Sequence, residues 1–359
     1  MQKLYKYRPL SEFLFKELKY QELYFASYHE LNDPFDLNVR IDFSVAEPGY
    51  ISELVRYLFN TALILKEGRY TLQEKNNNAG LIDFIHNEEA CKRLENLIFK
   101  NIKKLQGDAV YFFIDELETA ISKSLRALSL KFEFDLVRFK SEVLRITGKF
   151  LNNSYTTCFS EDPANFLMWS HYASKHTGIC LEFSFDGHAG FSYETFGLKQ
   201  YEHGKPGDRF ATGHLPFREF DAKVLPVIYQ DEQPCLNFFD FAAVFANEHD
   251  IDLINLSKSK WHGYARQLET LLETKTSAWS YEREWRAIDI NFGGPKQPEE
   301  RIRHYTVESL SAIYFGTRTP EDVKHRIDCL YKNKHHHIKL IDCKLSGGKE
   351  LNFEEWEQP

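Results

Sequence analysis

The sequence predicts an α+β protein whose mixed or antiparallel β core is interrupted by a large helical insertion. Three observations carry this. Short runs rich in β-branched and aromatic residues gather in residues 1–45 and 151–359, bounded by turn residues. Residues 46–150 instead space their apolar positions at helical intervals. No internal repeat is visible, which leaves one split core rather than a solenoid.

Taken in order, Lys3 to Arg8 reads as a strand. Phe13, Phe15 and Leu18 recur near helical spacing, and Glu22 to Ser27 is extended again. Asn32-Asp33-Pro34 then forms a turn, where Asn and Asp can bond local backbone and Pro fixes φ. Three aliphatic stripes mark the insertion: Leu54, Leu58, Ala62 and Leu65; Leu94, Leu97, Ile98 and Leu105; Leu117, Ile121, Leu125 and Leu128. Such stripes serve packing, and the insertion also offers a surface for an oligomer or a protein partner. Strands are expected at Tyr155–Ser160, Gly178–Phe185 and Lys223–Tyr229, with a short helix or turn over Asn165–Lys175. Phe238 to Thr276 reads as helical, with a break near Asn255–Ser259. Strands at Trp285–Asn291, Ile302–Val307 and Ala312–Phe315, a helix at Glu321–Tyr331 and a closing strand at His337–Asp342 complete the core.

Length and composition bound the function. The 359 residues suit about two domains, or one domain with a large insertion. Forty-five Lys and Arg against 53 Asp and Glu leave a net charge of −8, which argues against a protein that coats nucleic acid through phosphate contacts alone. Thirty Phe and 19 Tyr against two Met imply a core of stiff rings. None of the six cysteines forms a C-x-x-C pair, so they read as thiols of a reducing compartment. The opening MQKLYKYRPL lacks an apolar segment for secretion, and no run of about 18 apolar residues occurs, so a soluble cytoplasmic protein without membrane contact is expected. His335-His336-His337 lies inside the chain with no further ligands obvious nearby.

No phosphate-binding G-x-x-x-x-G-K-[ST], H-E-x-x-H, G-x-S-x-G or G-x-G-x-x-G motif is present. Four constellations remain. In Tyr5-Lys6-Tyr7-Arg8-Pro9, strand alternation puts Lys6 and Arg8 on one face, suited to a phosphate or carboxylate. The turn Asn32-Asp33-Pro34-Phe35-Asp36 could orient a ligand hydroxyl, and a plain turn would look the same. Met168-Trp169-Ser170-His171-Tyr172 offers a stacking surface and a titratable imidazole, or an aromatic core. Finally, in Trp279-Ser280-Tyr281-Glu282-Arg283-Glu284-Trp285-Arg286, strand entry by Glu282 would project Glu282, Glu284 and Arg286 to one side. The two carboxylates would then repel unless a cation or ligand lay between them.

YKYRP, NDPFD, CFSED, MWSHYA, HTGICLEF and W-x-x-E-x-E-W-R, in that order, resemble the prokaryotic family called domain of unknown function 2971. More remotely, a cationic first strand, an aromatic-polar middle and a late E-x-E strand resemble the ADP-ribosyltransferase fold, above all DarT-type toxins that modify nucleic acid using NAD. That resemblance implies a toxin or phage-defence effector with NAD as substrate, no metal, and a nucleic acid or protein acceptor. It implies Glu284 as the catalytic glutamate with Glu282 beside it. Lys6, Tyr7, Arg8, Asn32, Asp33, Trp169, His171, Tyr172 and Arg286 would bind the dinucleotide, Arg8 at its phosphates and His171 or Tyr172 at nicotinamide. Two alternatives stand beside it. One is a metal-dependent hydrolase or nuclease using Asp33, Asp36, His171, Glu282 and Glu284; the other is a non-catalytic sensor that binds a nucleotide or peptide.

Overall fold

The computed structural model describes residues 2–33, 36, 40–42, 87–102, 110–127, 141, 144, 154–185, 188–194, 217–232, 234–237, 270–290, 296–331, 334–347 and 350–357. Within them the chain is α+β, with a mixed, mostly antiparallel open sheet.

Strand β1 (Gln2–Arg8) alternates: Leu4 packs into one apolar cluster while Tyr5 and Tyr7 pack into another on the opposite face. The helix Leu14–Tyr20 follows, burying Leu14 and Leu18 one turn apart against the Leu4 side. It ends where Gln21 turns left-handed at φ 53°. The expected extended stretch is two short strands, β2 (Glu22–Tyr24) and β3 (Ala26–Ser27), with the fully buried Phe25 between them. Strand β4 (Arg40–Asp42) comes next. The helices Glu88–Ile102 and Val110–Ala127 pack together, burying Leu94, Ile98, Ile114, Ala120 and Ile121. Leu54, Leu58, Ala62, Leu65, Leu105 and Leu128 lie outside the described residues.

The core resumes with β5 (Ser154–Ser160), the helix Phe166–Tyr172, β6 (Ile179–Phe185) and β7 (His188–Glu194). Then come β8 (Phe217–Pro226), β9 (Ile228–Tyr229), β10 (Cys235–Asn237) and β11 (Thr274–Lys275). The chain continues through β12 (Glu284–Ile290), β13 (Ile302–Tyr305), β14 (Leu310–Phe315), the helix Glu321–Tyr331, β15 (Lys339–Ser346) and β16 (Glu350–Glu355). The main sheet runs β16-β15-β14-β6-β1-β5-β12-β8-β7-β13-β2, with β3 paired to β5. Among the described residues its one parallel pair, β14 with β15, is joined through the helix Glu321–Tyr331, as a parallel connection requires. No described helix is long and apolar enough to cross a membrane.

Several expectations are corrected. β8 stops at Pro226, which has no N–H to continue a ladder, and Ile228–Tyr229 turns away to pair with β11. Lys275, expected at the end of a helix, sits in β11; residues 238–269 lie outside the described residues. The strand expected from Glu282 begins at Glu284, because Ser277–Glu282 is a 3₁₀ turn and Arg283 is left-handed at φ 44°. Val307 opens another 3₁₀ turn, and the strand at Lys339 is followed by β16 rather than closing the core. β7 and β16 are not among the expected strands, although each alternates apolar with polar residues, Ala189, Phe191 and Tyr193 in one and Leu351 and Phe353 in the other.

The site depends on how β1 meets β5. β1 and β6 pair along their whole length, from Gln2↔Phe185 to Arg8↔Ile179. With β5, the described register is a single pair, Tyr5↔Ser160. Beyond it the strands part. The end of β1 is held instead by close packing: a Cβ on Gly178 would stand 2.2 Å from the Arg8 carbonyl oxygen, and one on Gly316 would stand 2.3 Å from that of His176. Gly178→Ala should therefore cost about 1–3 kcal/mol in urea unfolding by overpacking; an unchanged midpoint would contradict this packing.

Candidate functional site

A cleft of about 350 Å³ opens where β1 and β5 part. One lip is Lys6, Tyr7, Arg8 and Pro9; the other is Thr156, Thr157, Cys158 and Phe159. Lys6 spans the gap: its Nζ donates to Thr157 Oγ1 at 2.7 Å and to the Cys158 carbonyl at 3.0 Å, where backbone pairing would otherwise run. Both partners are uncharged, so the ammonium keeps its charge in the cleft. Burial, reinforced by neighbouring Arg8, pulls Lys6 down to about 8. Arg8 also lines the cleft, but its guanidinium is tied to Glu17 on the Leu14–Tyr20 helix, with Nε 2.9 Å from Oε2.

Opposite lies a buried charge cluster. Lys275 Nζ stands 2.7 Å from Glu282 Oε2, 2.8 Å from Glu284 Oε2 and 3.5 Å from Asp36 Oδ2. Beneath it the fully buried Arg286 donates from Nε to Glu284 Oε1 at 2.7 Å, from Nη2 to Asp36 Oδ2 at 2.6 Å and from Nη1 to the Leu272 carbonyl at 2.8 Å. Three carboxylates face two cations, which leaves one negative charge in surplus when all are ionised.

Local structure fixes these groups. Asn165 caps the Phe166–Tyr172 helix through Oδ1, and its Nδ2 donates to the Tyr281 carbonyl. Ser160 Oγ donates to the Glu282 carbonyl at 2.7 Å. The Glu284 N–H donates to Tyr229 Oη at 2.8 Å. The helix and β5 thus hold the 3₁₀ turn so that Glu282 and Glu284 converge on Lys275. Tyr172 OH donates to Glu282 Oε1.

The two carboxylates differ electrostatically. Burial pushes Glu282 upward; Lys275 and Tyr172 oppose this, Glu284 adds to it, and the net direction is up. Burial acts on Glu284 too, but Arg286 and Lys275 outweigh it and hold that carboxyl far below its ordinary value. Lys275, despite burial, is driven up by Glu284, Asp36 and Glu282. Burial and Glu284 push the Cys158 thiol up to about 12, which makes it a poor nucleophile.

Of the residues singled out in the sequence, Lys6, Tyr7, Arg8, Asn32, His171, Tyr172, Glu282 and Glu284 all line the cleft. Three do not. Trp169 is fully buried, with Nε1 donating to the Pro163 carbonyl; its ring packs edge-on to Tyr7 and is closed to a ligand. Asp33 is buried beside Thr276, and Arg286 acts from beneath Glu284 and Asp36. Lys275 and Asp36 are the site residues that sequence reasoning missed or undervalued. The repulsion expected between Glu282 and Glu284 was the available signal, since it demanded a cation between them, and Lys275 is that cation. An ammonium thus stands where three carboxylates would otherwise gather a divalent ion. Among the described residues no group of three or more His, Cys, Asp or Glu is arranged to hold a metal.

A family model described as a protein of unknown function (DUF2971) matches residues 168–287. Over that stretch the chain is similar to that family. The matched segment runs from Met168 to Ala287 within β12 and contains His171, Tyr172, Lys275, Glu282, Glu284 and Arg286, while β1 and Asp36 lie outside it. No curated protein and no solved structure matches the chain at a significant level.

Lys275→Met should destabilise the fold by roughly 3–5 kcal/mol in urea unfolding, because it leaves three buried carboxylates facing Arg286 alone. Adding Glu282→Gln should recover part of that loss. A cost below about 1 kcal/mol would mean the cluster is not the buried ion network described here.

Proposed function

We propose that the cleft binds NAD and that the protein is an ADP-ribosyltransferase-like enzyme, acting on a nucleic acid or protein acceptor as a toxin or defence effector. The observation that supports this reading most is that the β1 cations and both carboxylates of the E-x-E segment line one cleft. Breaking the bond between ribose and a positively charged nicotinamide passes through an oxocarbenium-like state, and a fixed negative charge beside the sugar lowers that barrier. Glu284, held ionised by Arg286 and Lys275, supplies it. Glu282, the more easily protonated neighbour, accepts the proton of the attacking group. Tyr172 orients Glu282 and, with His171, walls the nicotinamide end; Lys6 faces the phosphates. A volume near 350 Å³ encloses the nicotinamide riboside half, and the remainder extends past the mouth.

Binding without turnover is the second reading. It is favoured by Glu284, whose oxygens are both engaged by cations.

Incubation with labelled NAD and cell extract should transfer label. Glu282→Gln should cut transfer by about a hundredfold or more with the fold intact by circular dichroism, and Glu284→Gln should abolish it. Equal labelling by the variants would refute the roles, and no transfer by the wild type would leave binding alone. Because Lys6 is charged only below about 8, affinity for an anionic ligand should fall as pH rises through that value. Lys6→Arg should remove this fall, checked by calorimetry from pH 6 to 10; an unchanged profile would contradict the role of Lys6.

A further inference from the structure

Two lysines line the cleft and are held in opposite ways. Lys275 is locked in its charged form by three carboxylates. Lys6, half-buried between the lips, is paired with no carboxylate among the described residues. Its Nζ meets Thr157 Oγ1 and the Cys158 carbonyl, with the Phe159 ring centroid 5.3 Å away. Those partners serve the amine in either state. A carbonyl accepts from an ammonium and from an uncharged amine alike, and a hydroxyl can turn to donate to the nitrogen lone pair. The two bonds leave one position on the nitrogen for a ligand.

The titratable groups around Lys6 are Arg8 on its own strand, Glu17 on the Leu14–Tyr20 helix, Cys158 on β5 and Glu284 on β12. Burial acts most strongly and Arg8 next, and both favour the uncharged form, so part of Lys6 is a free amine near neutral pH. A desolvated lysine beside another cation is an arrangement that makes an amine nucleophilic. Arg8, two residues further along the same face of β1, gives Nε and Nη2 to Glu17, which leaves Nη1 for an anion.

We infer that Lys6 forms a reversible imine with a small aldehyde that carries a phosphate, the phosphate resting beside Arg8. The Lys6 nitrogen adds its lone pair to the carbonyl carbon. A C–N bond forms, the C–O bond breaks, and the oxygen leaves as water with the two amine protons. Nothing is oxidised or reduced. The inference goes beyond the preceding reading and needs no NAD: the charged form of Lys6 faces an anion, and the uncharged fraction bonds a carbonyl.

Pyridoxal 5′-phosphate is the probe, with the full chain, borohydride to trap the imine and peptide mass spectrometry to locate it. Near neutral pH, Lys6 should be trapped about tenfold or more faster than the exposed Lys19, because an ordinary lysine is largely uncharged only above about pH 10. The Lys6 rate should rise with pH and level off just above about 8, while the Lys19 rate keeps climbing. Lys6→Arg should remove the fast phase of total labelling. Pyridoxal, which lacks the phosphate, should lose most of the preference for Lys6 over Lys19, and Arg8→Gln should do the same to pyridoxal 5′-phosphate. Trapping at Lys6 no faster than at Lys19, or a Lys6 rate still climbing at pH 10, would overturn the inference on the wild type alone. A preference that survives both loss of the phosphate and Arg8→Gln would overturn the place given to the phosphate. The assay contains no NAD, so its outcome is separate from whether nicotinamide is released.

Discussion

The ammonium of Lys275, enclosed by Glu282, Glu284 and Asp36, is the contact on which the site depends. Two carboxylates two residues apart, both almost fully buried, would repel strongly without it. With it, a 3₁₀ turn, a two-residue strand and the start of β12 are drawn together, and the Asp36 turn is bound to them through Arg286. Buried ion clusters add little net stability compared with a well-packed apolar core. Their effect here is geometric: they hold unlike acids at fixed places. One carboxylate is locked in its charged form by Arg286, and the other sits where it exchanges a proton more easily.

The second constraint is the parting of β1 from β5. By alternation Lys6 belongs to the Leu4 face, while the register Tyr5↔Ser160↔Glu284 puts Glu284 on the face of Tyr5 and Tyr7. In a continuous sheet these groups would stand on opposite sides. The gap allows the Lys6 side chain to bridge to β5 and brings both charges to one opening. Its surroundings are closely packed, since Gly178 and Gly316 admit backbone carbonyls closer than any side chain would permit.

Much of this was legible in the sequence, for definite reasons. β1, β5, β6 and β14 are read from their apolar and aromatic runs, and the Glu321–Tyr331 helix from its period. Of the aliphatic stripes, Leu94, Ile98 and Ile121 fall on described helices and are buried. Candidate residues were recognised by chemical type, and most came to one cleft. What escaped did so because tertiary pairing decided it. Lys275 lies in a strand of two residues, too short to show a pattern of its own beside the helical spacing expected over Phe238–Thr276. Trp169 looked like a stacking surface because sequence cannot tell a ring facing a ligand from one facing Tyr7. Glu282 and Glu284 were placed on one strand, yet their convergence arises from a left-handed residue between them.

Site-resolved ¹³C titration of the Glu282 and Glu284 side-chain carboxyls tests most directly whether this cluster divides their roles. The account predicts a Glu282 midpoint above the ordinary glutamate value near 4.5, while Glu284 stays ionised to the lowest pH at which the fold persists. Two carboxyls titrating together near that ordinary value would contradict it.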